Sequence, residues 1–196
     1  MNKESLKLKK FHFGKSNKNI FSFKELEGLL NLRPFVNTKR FTPTEKKDYS
    51  WLSYEWQTDK TSVPVSVIKE VIKKDVVYIR DCGRANKKIN NNCKQLEKIF
   101  NRPVDCHIFF SFKRNVMGFN KHHDSSNNFI VLCEGKIKVE VWNDSKVTRI
   151  MNPGEYVFIP SHTDHRIIPL SDKRLSCSFP IVEHKSAFDE REWLTL

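Results

Sequence analysis

Residues 122–142 read HHDSSNNFIVLCEGKIKVEVW, and the period of that stretch decides the fold. Phe129 to Cys133 is a continuous apolar run closed by Glu134-Gly135. Beyond the glycine, Ile137, Val139 and Val141 alternate with Lys136, Lys138 and Glu140. Alternate residues of a strand share a face, so the three aliphatics belong to a core and the charged residues to the other side. Short runs of the same kind recur at 106–112, 129–134, 136–142, 147–151, 155–159, 165–170 and 174–181. Turn signals such as Asn143-Asp144-Ser145 and Asn152-Pro153-Gly154 separate them. Many short strands at this spacing predict a β-sandwich or barrel.

Upstream the character differs. Residues 1–20 are polar, with few periodic apolar positions, and predict an arm or a single edge strand. Ser22-Phe23-Lys24-Glu25 has capping-box spacing and is followed on one helical face by Leu26, Leu29 and Leu30, until Arg33-Pro34 stops the helix. The stretch to Pro64 is loop-rich and carries Trp51, Tyr54 and Trp56. From Pro64 the spacing of Val67, Ile68, Val71 and Ile72 predicts a helix up to Lys74, Val76–Ile79 a buried strand, and residues 88–100 a further helix closed by Asn101-Arg102-Pro103. The expected organisation is a basic helical and loop region, 1–75, packed on a β domain, 76–196.

The 196 residues are 38% hydrophobic and include 15 Phe and 4 Trp, enough for one core and too apolar for a disordered chain. No run approaches the ~18 apolar residues of a membrane span, and the start, MNKESLKLKK, has no apolar h-region. The five cysteines are odd in number and never spaced C-x-x-C, which argues against a disulfide scaffold or a cysteine zinc site and predicts a reducing cytoplasm. The net charge is +12, with 12 Lys+Arg against 5 Asp+Glu in residues 1–50. Tracts such as Lys7-Lys9-Lys10 and Lys46-Lys47 suit an acidic partner, nucleic acid included; the alternative is a solvated lysine-rich face.

Two segments carry chemistry. His122-His123-Asp124 precedes the 129–134 strand, and on a strand His122 and Asp124 converge while His123 points away. One more histidine on a neighbouring strand completes the two-histidine, one-carboxylate set that holds non-haem Fe(II) with coordination positions open. The second segment, GEYVFIPSHTDH (154–165), supplies it: a tight Pro153-Gly154 turn, a strand, a break at Pro160, and re-entry with His165. No Gly-rich phosphate loop and no serine nucleophile elbow is present.

Gly154, Pro160 and His165, as G-x5-P-x4-H, resemble the second cupin motif and the segment bearing the distal iron ligand in JmjC-type and cupin-like 2-oxoglutarate oxygenases. Residues 122–142 resemble the H-x-D-x3-N-F-hydrophobic-G-K segment of small JmjC-type hydroxylases, both the ribosomal-protein and the tRNA wybutosine kinds, with His122, Asp124, Asn128, Phe129 and Gly135 at matching offsets. The resemblance covers about residues 76–180. It implies a mainly β fold with flanking helices, a double-stranded β-helix or jelly roll. It further implies Fe(II) held by His122, Asp124 and His165, 2-oxoglutarate as co-substrate, and Asn128 at the pocket or merely ending a turn.

One position departs from the family. JmjC-type enzymes place a basic residue two positions after the strand's glycine to pair with the distal carboxylate of 2-oxoglutarate, and here that position is Ile137. Alternation turns Lys136 and Lys138 away from the pocket. Arg174-Leu175-Ser176, nine residues after His165, resembles the R-x-S element with which another branch of 2-oxoglutarate oxygenases grips the same carboxylate. An arginine fork suits bidentate carboxylate binding, so Arg174 with Ser176 is the expected anchor; the alternative is an ordinary surface ion pair.

The expected function is an Fe(II)- and 2-oxoglutarate-dependent dioxygenase hydroxylating a macromolecule, a side chain of a ribosomal or other cytoplasmic protein. Two alternatives remain: an RNA, tRNA or other nucleic-acid hydroxylase, and a metal-binding cupin that handles a small molecule without 2-oxoglutarate chemistry. The apolar runs predict no membrane partner; the residues leave the oligomeric state open, a homodimer through flanking helices being common among the jelly-roll enzymes that the chain resembles. Among the other histidines, His123 is expected to face solvent or substrate and His162 to sit in a turn at the mouth. His107 reads as a core histidine, and His12 and His184 show no partner.

Overall fold

A computed structural model describes residues 10–16, 20–32, 35–37, 41–43, 62–64, 70, 73, 76–79, 82–84, 86–116 and 118–182. In chain order its elements are β1 (His12–Lys15), α1 (Phe23–Leu32), β2 (Phe35–Asn37), β3 (Phe41–Pro43), β4 (Ser62–Pro64), β5 (Val77–Ile79) and α2 (Lys87–Phe100), followed by β6 (His107–Ser111), β7 (Asn127–Glu134), β8 (Ile137–Trp142), β9 (Lys146–Met151), β10 (Glu155–Ile159), β11 (Asp164–Pro169) and β12 (Arg174–Ile181).

Both helices begin on side-chain caps. The Glu25 backbone N–H donates to Ser22 Oγ at 3.3 Å, and the same hydroxyl donates to the Glu25 carboxylate at 2.8 Å. Asn86 Oδ1 accepts the Ile89 N–H at 2.9 Å, and α2 ends where Asn101 turns left-handed, φ 51°. Ile89, Cys93, Leu96 and Phe100 form the buried stripe of α2, at the i, i+4, i+7, i+11 spacing of one helix face. Pro64 ends the short strand β4. The helix expected from Val67, Ile68, Val71 and Ile72 falls outside the described residues, as do Trp51, Tyr54 and Trp56.

The strands make an antiparallel jelly roll. A seven-stranded sheet has the order β1-β10-β7-β12-β6-β5-β3, and a three-stranded sheet the order β11-β8-β9. β1 is the edge strand expected of the N-terminal arm, pairing His12 with Phe158 and Lys15 with Glu155. The layer between the two sheets is filled by Ile130, Leu132, Val157 and Ile159 from the large sheet and by Ile137, Val139, Val141 and Met151 from the small one. The opposite face of the large sheet carries Phe110, Phe129, Phe158, Cys177 and Phe179 and is covered by α1 and α2. Lys138 faces outward, as the alternation of β8 requires, and Ile137 is fully buried.

Gly135 makes the β7–β8 turn at φ +86°, and a Cβ there would overlap the Lys173 carbonyl oxygen. Gly135→Ala is therefore expected to destabilise the fold by about 2–4 kcal/mol, the sum of left-handed strain and a backbone clash. Urea unfolding checks this, and a loss below ~1 kcal/mol would show that the turn relaxes freely.

Candidate metal centre and anion pocket

His165 is the second residue of β11, paired with Val141 on one side. On its other side it meets His122 in a lone antiparallel bridge, with His165 N–H donating to the His122 carbonyl at 2.7 Å and His122 N–H donating back at 3.1 Å. The regular strand expected at 122–124 is thus a single bridge. Asp124 lies in the turn before β7 and is tied down by its carbonyl, which accepts the His162 N–H at 2.8 Å. Two chain segments forty residues apart are stapled together by the backbones of the histidines themselves.

One ligand atom each from His122, Asp124 and His165 lies within 4.8 Å of the others. His165 Nε2 is 3.5 Å from Asp124 Oδ2, and His122 Nε2 is 3.9 Å from Asp124 Oδ1. The second ring nitrogens fix the tautomers. His122 Nδ1 is 2.7 Å from the Asn120 carbonyl and His165 Nδ1 is 3.0 Å from the Thr163 carbonyl. A carbonyl only accepts, so each Nδ1 carries a proton and each Nε2 is the ring nitrogen turned toward the carboxylate. Burial pushes the His165 pKa below its ordinary value, and His122 nearby lowers it further, against the raising effect of the Thr163 carbonyl. The neutral ring is the form that ligates a cation. Asn128 Nδ2 donates to Asp124 Oδ2 at 2.6 Å, and Ser178 Oγ donates to Asn128 Oδ1 at 3.4 Å, so Asn128 braces the carboxylate and is more than the end of a turn.

On β12, Leu175, Cys177, Phe179 and Ile181 face the helices, which turns Arg174, Ser176 and Ser178 toward the space between the sheets. Arg174 is 3% exposed, and its Nε and Nη1 have no hydrogen-bond partner. Burial draws its pKa down to about 10, which leaves the guanidinium charged at neutral pH. A surface ion pair is excluded by that burial. Ser176 Oγ and Ser111 Oγ are also buried and unpartnered, and Ser111 is the cross-strand neighbour of Arg174. A buried cation without a partner is expensive, and three unsatisfied polar groups in one interior outline a place for an anion.

Sequence reasoning missed Ser111, whose only signal is its register against Arg174, and also two aromatics. Phe109 lies 5.6 Å from the Arg174 guanidinium, Phe119 meets Phe109 at 6.5 Å, and Phe119 meets the His122 ring at 5.1 Å. They form a wall leading from the arginine to the histidines. His123 is on the rim, as expected, with Nδ1 donating to Asp164 at 3.2 Å. His162 occupies a left-handed turn, φ 57°, with its ring 5.7 Å from that of His123. His107 opens β6 half-buried, and His12 stacks on Phe158 at 5.3 Å. His184 is outside the described residues.

No protein-family model matches the chain, and no curated protein matches it. Solved structures do. One of YcfD, a ribosomal oxygenase from Escherichia coli, superposes with a TM-score of 0.67 at 15% identity, over 94% of this chain and 51% of that one. YcfD in complex with cobalt and 2-oxoglutarate gives 0.62 at 16% identity, over 95% of this chain and 52% of that one. The chain therefore shares the jelly-roll fold of these structures, and it spans about half their length. No helix among the described residues is long and apolar enough to cross a membrane.

Proposed function

We propose that the chain is an Fe(II)- and 2-oxoglutarate-dependent oxygenase that hydroxylates a macromolecule, a protein side chain in the first instance. The reading rests on one conjunction: a His122–Asp124–His165 donor set, and a buried Arg174 with Nε and Nη1 unpartnered, linked to it by the ring contacts of Phe109 and Phe119. The donors suit a divalent cation, two neutral imidazoles and one carboxylate being the set that leaves coordination positions free. Iron bound there with 2-oxoglutarate would supply the activation of oxygen and the oxidation of a substrate C–H bond. The ribosomal oxygenase YcfD has the same fold and has been seen with 2-oxoglutarate, which makes a ribosomal protein the first substrate to try.

The chain's own residues have definite tasks in this reading. His122 and His165 present Nε2, and the carbonyls of Asn120 and Thr163 stop the rings from turning. Asn128 holds Asp124 Oδ2 and leaves Oδ1 for the cation. Arg174, with the Ser176 and Ser111 hydroxyls beside it, takes the distal carboxylate of 2-oxoglutarate in place of the basic residue absent at Ile137. Ile137, Val139 and Val141 wall the interior against water. The cysteine usage adds a cytoplasmic location to the proposal.

N-oxalylglycine, an unreactive analogue of 2-oxoglutarate, tests the reading without a known substrate. With Mn(II) present it should raise the unfolding temperature by about 5–10 °C at a hundredfold excess over its dissociation constant, and the iron-loaded chain should form succinate. Neither stabilisation nor succinate would leave a metal-binding jelly roll with other chemistry.

A further inference from the structure

The outward face of the three-stranded sheet is a solvent-facing grid that the proposed chemistry does not use. Register sets its rows: Asp164–Trp142–Lys146, then Arg166–Glu140–Thr148, then Ile168–Lys138–Ile150. Three cations surround the Trp142 indole, with Lys121 Nζ and Lys146 Nζ each 5.1 Å and the Arg166 guanidinium carbon 5.9 Å from the ring centre. Ile150, at 52% exposure, is the exposed large hydrophobic among the described residues.

Glu140, 3% exposed, is the organiser of this face. It holds Arg166 Nη2 at 2.6 Å, Lys146 Nζ at 2.9 Å and Lys138 Nζ at 3.8 Å. Asp164 accepts Lys121 at 2.8 Å and His123 at 3.2 Å. Lys121, Lys138, Lys146 and Arg166 against Glu140 and Asp164 leave a net +2. One carboxylate shared by three cations fixes their positions and cannot neutralise them all.

We propose that this face binds single-stranded nucleic acid, with a base taking the place of the Lys121 ammonium over the Trp142 ring and phosphates lying against Lys138, Lys146, the displaced Lys121 and Arg166. The grid measures about 10 by 13 Å from strand spacing and rise, room for two or three nucleotides. A sheet face that joins an aromatic ring to fixed cations is suited to such strands, because every base offers a π-face and every link a charge. An acidic peptide would satisfy the cations and leave the indole unused. The first row borders the metal centre, since Lys121 precedes His122 and Asp164 precedes His165, so a strand held here runs past the mouth. The inference stands apart from the oxygenase reading, because binding is measured with no metal and no turnover.

The experiment is fluorescence anisotropy of a fluorescein-labelled twelve-nucleotide oligouridylate with the full chain in EDTA. Saturable binding is expected, weakening about tenfold between 50 and 150 mM salt for roughly three neutralised phosphates. Trp142→Leu should weaken it at least fivefold, by the ~1–3 kcal/mol typical of a stacked base. Lys138→Gln with Lys146→Gln should do the same and lower the salt exponent by about 1.4. Lys94→Gln with Lys98→Gln, on the exposed side of α2, removes equal charge and should change affinity less than twofold. Full binding by Trp142→Leu, an equal loss in the α2 pair, no saturable binding, or equal competition by polyglutamate would each overturn the assignment. Trp142→Phe, which keeps an aromatic face, should bind within about threefold of the wild type, and it decides the matter should Trp142→Leu fail to fold: a Phe variant as weak as the lysine pair would overturn the stacking assignment.

Discussion

Asp124→Ala is expected to abolish metal-dependent stabilisation and all turnover while leaving the metal-free fold nearly unchanged. The Asp124 side chain is 39% exposed, so alanine removes no core packing. It does remove the only carboxylate among the three donors, leaving two neutral rings to hold a divalent ion. Disturbing groups that merely orient metal ligands typically lowers affinity by about 10–100-fold, and loss of a ligand should exceed that. Asn128→Ala supplies the comparison, because it frees Asp124 Oδ2 without removing a donor and should sit within that milder range. Thermal unfolding with and without Mn(II) reads both. A wild-type chain at a hundredfold excess of metal gains about 2.7 kcal/mol. If Asp124→Ala kept that gain, the cation would lie elsewhere and the oxygenase reading would fail with it.

The parts of the fold legible in the sequence are those in which one strand face meets the core and the other meets water. β8 is the clearest, since Ile137, Val139 and Val141 are buried exactly where the alternation with Lys138 requires an inward face. β12 obeys a different rule: all eight of its residues are buried, because helices cover its second face. Its inward side is recognisable only by chemistry, Arg174, Ser176 and Ser178 alternating with Leu175, Cys177 and Phe179. The three-residue strands β2 to β5 are too short to show a period, and their pairing, such as Phe41 with Ile79, is set by contacts distant in sequence. The site follows the same division. His122, Asp124 and His165 are readable because rare residue types recur at informative spacings, whereas Ser111 is a common residue whose meaning lies wholly in facing Arg174. The Trp142 face is invisible in one dimension for the same reason, being drawn from three strands.

Arg174→Ala is the second large effect, and its sign differs between the empty and the liganded protein. In the empty protein the guanidinium is buried with Nε and Nη1 unpartnered, and burial alone draws its pKa down to about 10. Removing such a group relieves desolvation, so the apo stability should hold or rise despite the lost packing over Phe109. With 2-oxoglutarate the balance reverses, because two charge-assisted hydrogen bonds are lost at about 1.5–3 kcal/mol each. The concentration needed for half-maximal 2-oxoglutarate turnover should rise at least tenfold, with metal affinity unchanged. Arg174→Lys should recover little, since an ammonium offers no planar fork. A relocated charge should recover more. Gly135 abuts the Arg174 backbone, and Ile137 lies two residues further along the inward-facing side of β8, so Ile137→Lys combined with Arg174→Ala places a cation in the same interior. Partial restoration in that double variant, against none in Ile137→Leu with Arg174→Ala, would show that the pocket needs a positive charge and that β12 supplies it in this chain. An unaltered 2-oxoglutarate requirement in Arg174→Ala would remove the residue from the site.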